Sequence, residues 1–222
     1  MPSSTWISSG EPQIRVSRTD QVVTFVKEKR EAVVAGSVVL IAAAILGAWF
    51  YLHYSQINDT AWKQLFIAQQ TGFSGAYAES EKKLDEVAAG FARSDAAPYA
   101  VMSKGDILFR QEKYKEALEE YKKLVNGPAY MRRFAIFNAG KSREALALTA
   151  EAAADYRDFL AKYSDHMLAP EVHFSLAAVQ EKLGDREGAR STYEKIAILY
   201  PETSWSEAAK QKTGQAAPAQ PR

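Results

Sequence analysis

The chain has no cysteine, only three histidines, and a formal charge of +1 from 28 Lys+Arg against 27 Asp+Glu over 222 residues. Without cysteine there are no disulfide staples, no thiolate zinc sites, no thiol nucleophile and no lipid attached to an N-terminal Cys; the redox compartment stays open. Near-neutral charge leaves no surplus of cations to displace condensed counterions, so no nucleic-acid partner is expected. Alternating β-branched runs are also missing, and with them the signature of a sheet. Ala, Glu, Lys and Leu dominate from Ala61 to Lys212, with Gly and Pro falling between periodic segments, so the fold class is all-α.

Charge is also absent locally. The twenty-one residues Ala32–Leu52 (AVVAGSVVLIAAAILGAWFYL) carry none. As a helix rising about 1.5 Å per residue this run spans roughly 30 Å, the thickness of a bilayer's hydrocarbon core. Its ten Val, Leu, Ile and Phe residues favour insertion by about 3 to 6 kcal/mol in sum. A core helix of a soluble protein would show a polar stripe, and none is present. Arg18, Lys27, Lys29 and Arg30 precede the run, while the fifteen residues after Leu52 hold only Lys63, so the positive-inside rule puts the N-terminus in the cytoplasm. Trp49, Tyr51 and Tyr54 fit an aromatic belt at the outer interface. The run ends in WFYLHYSQ, which offers a signal peptidase no pair of small residues, so the anchor is expected to be retained.

These features divide the chain into a flexible cytoplasmic tail (1–19), a helix (20–54) capped by Asp20 and containing the transmembrane anchor 32–52, an exported helical domain (55–213) and a disordered tail (214–222). Within the domain, Ala117, Ala152 and Ala189 lie 35 and 37 residues apart, and so do Tyr121, Tyr156 and Tyr193, and Leu124, Phe159 and Ile196. Gly105, Gly140 and Ala177 stand twelve residues ahead of the alanines. These residues resemble the tetratricopeptide repeat, a helix-turn-helix unit of about 34 residues, and the resemblance implies an α-solenoid. Lys104 and Gln180 depart from it, standing where an aliphatic and an aromatic or aliphatic residue are usual. Gly140-Lys141-Ser142 reads as a turn, although the spacing sets Gly140 inside a helix, which leaves the middle register open. A first unit on Trp62, Leu65, Leu84 and Val87 is read with a short insertion around Gly72–Gly75, and Ser204–Lys212 as a capping helix.

Catalytic groups are not assembled at any useful spacing. His53 lies at the membrane edge, and Pro170 separates His166 from His173. Gly140-Lys141-Ser142 resembles the end of a phosphate loop, but the required Gly is replaced by Ala135, with no strand before it. No G-x-S-x-G elbow or H-E-x-x-H zinc site occurs. The expectation is no enzyme, no cofactor and no metal. The resemblance implies instead a concave partner-binding groove lined by the first helix of each unit: Tyr99, Met102, Asp106, Phe109 and Arg110, then Phe134, Phe137 and Lys141, then Glu171, Phe174 and Glu181. Rings beside mixed charges suit an extended or partly folded polypeptide, while packing between helices is an equal claim on any one ring.

The arrangement as a whole is similar to the YfgM family, the ancillary subunit of the SecYEG translocon, through Asp20-Gln21-Val22-Val23-Thr24-Phe25, one uncleaved anchor and repeats from near Ala61. That likeness implies a single-pass protein of the bacterial inner membrane with a periplasmic domain, whose partners are SecYEG, periplasmic chaperones or exported chains, besides lipid around the anchor. Tyr163-Ser164 to Pro170 and Leu199-Tyr200-Pro201 also resemble repeats of the CpoB and BamD families, which implies as the alternative a cell-envelope assembly or cell-division scaffold. Whether the groove works alone or in a homodimer is left open.

Overall fold

A computed structural model describes Thr19 and Phe25–Gly214. The tail 1–18, the Asp20 cap and residues 215–222 lie outside the described residues. The chain divides into two compact units, Met1–Ser55 and Gln56–Arg222. Helix α1 (Arg30–Phe73) supplies the described part of the first unit from Arg30 onward. It is long and apolar enough to cross a membrane, and none of its most apolar window is buried. Ser37, one of the few polar residues in that run, donates its hydroxyl within the helix to the Val33 carbonyl at 2.8 Å.

The second unit is built of helix pairs. The last turns of α1 pair with α2 (Tyr77–Gly90); α3 (Ala96–Arg110) pairs with α4 (Tyr114–Val125), α5 (Ala129–Ala145) with α6 (Thr149–Lys162), α7 (Ala169–Lys182) with α8 (Arg186–Leu199), and α9 (Ser204–Thr213) closes the stack. From α2 onward each helix packs on its sequence neighbours. Four equivalent sets of residues recur at intervals of 37, 35 and 37: Ala68, Gly105, Gly140 and Ala177; Ser80, Ala117, Ala152 and Ala189; Leu84, Tyr121, Tyr156 and Tyr193; Val87, Leu124, Phe159 and Ile196. All of them form the buried faces of the pairs. In the first pair Ser80 takes the alanine position, its buried hydroxyl donating to the Ala68 carbonyl at 2.6 Å.

Two expectations are corrected by this register. Gly140-Lys141-Ser142 is not a turn, because all three residues lie inside α5. The glycine signals close approach: a Cβ on Gly140 would stand 2.6 Å from Tyr156 Cε1, as one on Gly105 would from Tyr121 Cε1. Nor does the first unit carry an insertion at Gly72–Gly75, since twelve residues separate the small position from the alanine position in every pair. Each pair turns over three residues, with one in the left-handed region: Gly75 (φ 90°), Glu112 (61°), Ala147 (59°) and Gly184 (82°). The variation in period sits between pairs, where the connections run over 91–95, 126–128 and 163–168.

The sequence departures have local compensations. Lys104 reaches Asp85 at 2.6 Å and Glu120 at 3.3 Å. Burial alone would lower its pKa, but the Asp85 hydrogen bond and the Glu120 charge more than offset this and raise it. Gln180 is buried, its amide accepting from Thr192 Oγ1 at 2.8 Å and donating to Asp185 at 3.3 Å. The first pair ends the stack: Lys63 and Gln70 are exposed where later pairs bury Ala100 and Ile107, Ala135 and Ser142, and Val172 and Val179, the polar outer face a terminal repeat requires. At the other end α9 buries Ser206 and Ala209 and turns its charged residues outward.

Candidate functional site

The first helices of the second and third pairs, α3 and α5, flank a cavity of about 350 Å³ lined by Asp106, Phe109, Arg110, Tyr121, Asn138 and Lys141. A smaller one of about 160 Å³ adjoins it, lined by Gln69, Phe73, Ser103, Asp106, Ile107 and Arg110. Asp106 and Arg110 belong to both, so the two form one trough across three successive first helices.

Helical spacing explains who lines it. Asp106, Phe109 and Arg110 project from one side of α3, since residues three and four apart share a helix face. Tyr121 arrives from the second helix of the pair. Its ring passes beside Gly105, where there is no Cβ to block it, and its hydroxyl donates to Asp106 Oδ1 at 2.7 Å. Asn138 Nδ2 donates to the same oxygen at 3.3 Å and contacts Met102 Sδ at 3.6 Å. Farther along, Gln69 Nε2 donates to Ser103 Oγ at 2.7 Å. The cations lie on rings: the Arg110 guanidinium is 5.3 Å from the Phe73 centroid, and Lys141 Nζ is 5.4 Å from that of Phe137 and 5.9 Å from that of Phe109. Although part of Asp106 faces solvent, crowding of its carboxylate raises its pKa, against the lowering by Tyr121, Arg110 and Lys141. Burial and the nearby Asp106 push the Tyr121 hydroxyl far up, so it stays a donor.

The pattern recurs in the next pair, where Tyr156, passing beside Gly140, donates to Glu144 Oε2 at 3.0 Å. In the last pair the Tyr193 hydroxyl makes no such bond, and burial with the nearby Glu181 raises its pKa to about 12.

Of the residues expected in the groove, Asp106, Phe109, Arg110 and Lys141 meet at the cavity, with Met102 touching Asn138 at its edge. Tyr99 stands apart in a row of half-exposed rings, 5.0 Å from Trp62 and 6.0 Å from Tyr130. Phe134 packs on His166 and under Arg133. Phe137 is 5% exposed, inside the core cluster with Tyr156 and Phe159. Glu171 is half-buried on α7, and Phe174 packs between Tyr193 and Trp205. Glu181 pairs with Lys212 at 3.3 Å and lines a separate cavity of about 440 Å³ with Arg186, Arg190 and Tyr193. Gln69, Phe73, Ser103, Tyr121 and Asn138 were not anticipated. The period would have found two of them, since Gln69 and Phe73 precede Asp106 and Arg110 by 37 residues. Among the described residues no group of three or more His, Asp or Glu side chains could hold a metal ion.

A family model described as tetratricopeptide repeat matches residues 73–131, and a second of the same description matches 134–166 and 171–203. No curated protein matches the chain. Among solved structures, the apo form of RapI is similar at 14% identity and a TM-score of 0.63, over 71% of this chain and 48% of that one, so the chain spans about half of RapI. A tetratricopeptide repeat protein from Parabacteroides merdae aligns at 17% identity and 0.56, covering 70% and 57%. MamA aligns at 15% identity and 0.56, covering 71% and 84%. At such identities the likeness is one of fold.

Proposed function

The chain belongs to the tetratricopeptide-repeat proteins, and on that premise we propose that it is a membrane-anchored module which binds exported polypeptides or their chaperones beside the SecYEG translocon. Such repeats are protein-interaction modules and typically non-catalytic. The observation that carries the reading is the trough over three first helices, in which rings, an amide and unpaired cations face open space together. Rings supply apolar area, and polar groups at fixed intervals align a chain. Helix α1 supports the anchor, and the excess of Lys and Arg before residue 32 supports a cytoplasmic N-terminus. The YfgM resemblance supports the periplasm of a bacterial inner membrane. Anchoring there would hold the trough close to emerging chains and raise its effective concentration without new contacts.

The test is a photoreactive residue at Phe109 in the intact membrane-bound protein. Capture of nascent exported chains together with SecY is the expected result. Capture of peptidoglycan synthases or outer-membrane assembly factors alone would replace this role with that of an envelope scaffold. Protease added to spheroplasts should remove the Lys212 end and spare the Met1 end; the reverse pattern would overturn the orientation.

A further inference from the structure

Trp62, Tyr99 and Tyr130 form a row of rings outside the trough, with centroids 5.0 Å and 6.0 Å apart. Each keeps 38 to 40% of its surface exposed, well above a core ring. The planes meet at 52° and 26°, so neighbouring rings splay instead of closing on one another. Among the described residues none hydrogen-bonds the Trp62 indole N–H or the two tyrosine hydroxyls. Acid borders the row. The Asp95 N–H donates to Asn58 Oδ1 at 3.1 Å, one turn ahead of Trp62. Burial, then Tyr99 and Asp95, raises the pKa of Tyr130, which sets the exposed Asp95 carboxylate near that ring. Asp59, also exposed, lies three residues before Trp62 on the same side of α1. Of the chain's 8 prolines, one pair stands three residues apart: Pro218 and Pro221, in a segment outside the described residues that reads QAAPAQPR and sets Arg222 after the second proline.

We propose that the row is a self-recognition site: it takes the Pro218-Ala219-Gln220-Pro221-Arg222 segment of a second copy of this chain, with the prolines against the splayed rings and Arg222 toward Asp95. Prolines three residues apart return to one face of a polyproline II helix every about 9 Å, within the row's length of at most about 11 Å. Proline fixes its own φ, so such a segment loses little entropy on docking to aromatic rings. Its backbone carbonyls, which have no internal partner in that conformation, accept from the indole N–H and the tyrosine hydroxyls. A chain's own segment cannot cover the row. Tyr130 stands in the first turn of α5, whereas Gly214 follows the last turn of α9, two first helices away. That is roughly 16 to 20 Å across and about 15 Å along the helices. The seven residues from Gly214 to Pro221 span at most about 25 Å, enough to touch the nearest ring with one proline and no more.

The contact lies outside the trough, so its failure leaves the translocon reading untouched. The full chain in nanodiscs is titrated by fluorescence anisotropy with a fluorescein-labelled GQAAPAQPR peptide. Binding should saturate, and should weaken about tenfold when both prolines are Ala or when the chain carries Tyr99→Ala. A peptide with Arg222→Glu should bind weakly, and Asp95→Lys in the chain should restore it, a gain that misfolding cannot imitate. The chain has no cysteine, so crosslinking is clean: a copy with Gln220→Cys, mixed with one bearing Cys at exposed Ala129, should form a disulfide-linked dimer under mild oxidation. A partner with Glu187→Cys, equally exposed, should not. No saturable binding, equal binding of the proline-free peptide, or no crosslink overturns the proposal. If an unrelated P-x-x-P-Arg peptide then binds in place of the tail, the rings serve a foreign proline-rich partner and self-recognition is wrong.

Discussion

Replacing Gly140 by Ala sets two known effects against each other. In a helix interior the exchange ordinarily stabilises by about 1 kcal/mol. Here the added methyl would lie 2.6 Å from Tyr156 Cε1, 3.0 Å from its Cδ1 and 3.3 Å from the Asp155 Cβ. Tyr156 has nowhere to retreat: it is fully buried, its ring lies 6.1 Å from that of Phe137, and its hydroxyl is held by Glu144. The helices must separate instead, and overpacking of this kind costs about 1 to 3 kcal/mol, sometimes more. We expect a net loss of about 1 to 2 kcal/mol, which lowers Tm by about 2 to 8 °C in a domain of this size. In the first pair Ala68 faces Leu84, and in the fourth Ala177 shares a core cluster with Tyr193, so the clash belongs to the close approach at Gly140 and not to the repeat position in general. In a Tyr156→Leu background the clash disappears, so Gly140→Ala should stabilise by about 1 kcal/mol there, a coupling of about 2 to 3 kcal/mol around the cycle. Urea and thermal unfolding read by far-UV circular dichroism and tryptophan fluorescence give the four midpoints. A rise in midpoint from Gly140→Ala alone, or the same change in both backgrounds, would refute the close-approach argument.

Ala147 is exposed at φ 59°, a conformation that disfavours a side chain, so Ala147→Gly should stabilise by about 1 kcal/mol; a lower melting temperature would contradict that reading of the turn. His173 is half-buried with Nδ1 lacking a partner, and burial, then Lys195, holds its pKa below the ordinary 6.5. The unfolded chain therefore takes up the proton first as pH falls, so the contribution is complete above about pH 6.5 and is lost progressively below it. His173→Phe should flatten the decline in melting temperature between about pH 7 and pH 5, and an unchanged slope would remove His173 as its source. Leu40→Asp with Ile41→Asp costs about 5 to 7 kcal/mol in the bilayer centre against the 3 to 6 gained by the whole run. The double variant should appear in the soluble fraction after carbonate extraction; full retention would argue against a spanning α1.

What could be read from the sequence follows from how tightly each position is constrained. The alanines at 117, 152 and 189 and the large residues beside them repeat because a packed interface admits few sizes, so the pairing was visible before any coordinates. Gly140 was ambiguous because glycine marks both a turn and a close contact, and only the position of Tyr156 decides between them. The true turns escaped notice at Glu112 and Ala147, where the left-handed residue is not glycine and the sequence carries no flag. In the trough, the charges on α3 and α5 followed from the repeat resemblance, which assigns the first helices to the groove. Phe137, four residues before Lys141, looked equally available, yet its ring completes the core against Phe159. Tyr121 was missed for a different reason: it belongs to an outer helix and reaches the trough only because Gly105 lets its ring through.

That passage has an evolutionary corollary. A tyrosine rooted on the rear layer contributes its tip to the front surface, so the two layers cannot drift independently. Substitutions on α4 that shift the Tyr121 backbone would be felt at Asp106, and hence by whatever rests there, while touching no residue an observer of the front would think to mutate. Selection for a new partner in this lineage thus has a second set of positions to work on, hidden one layer behind the contact.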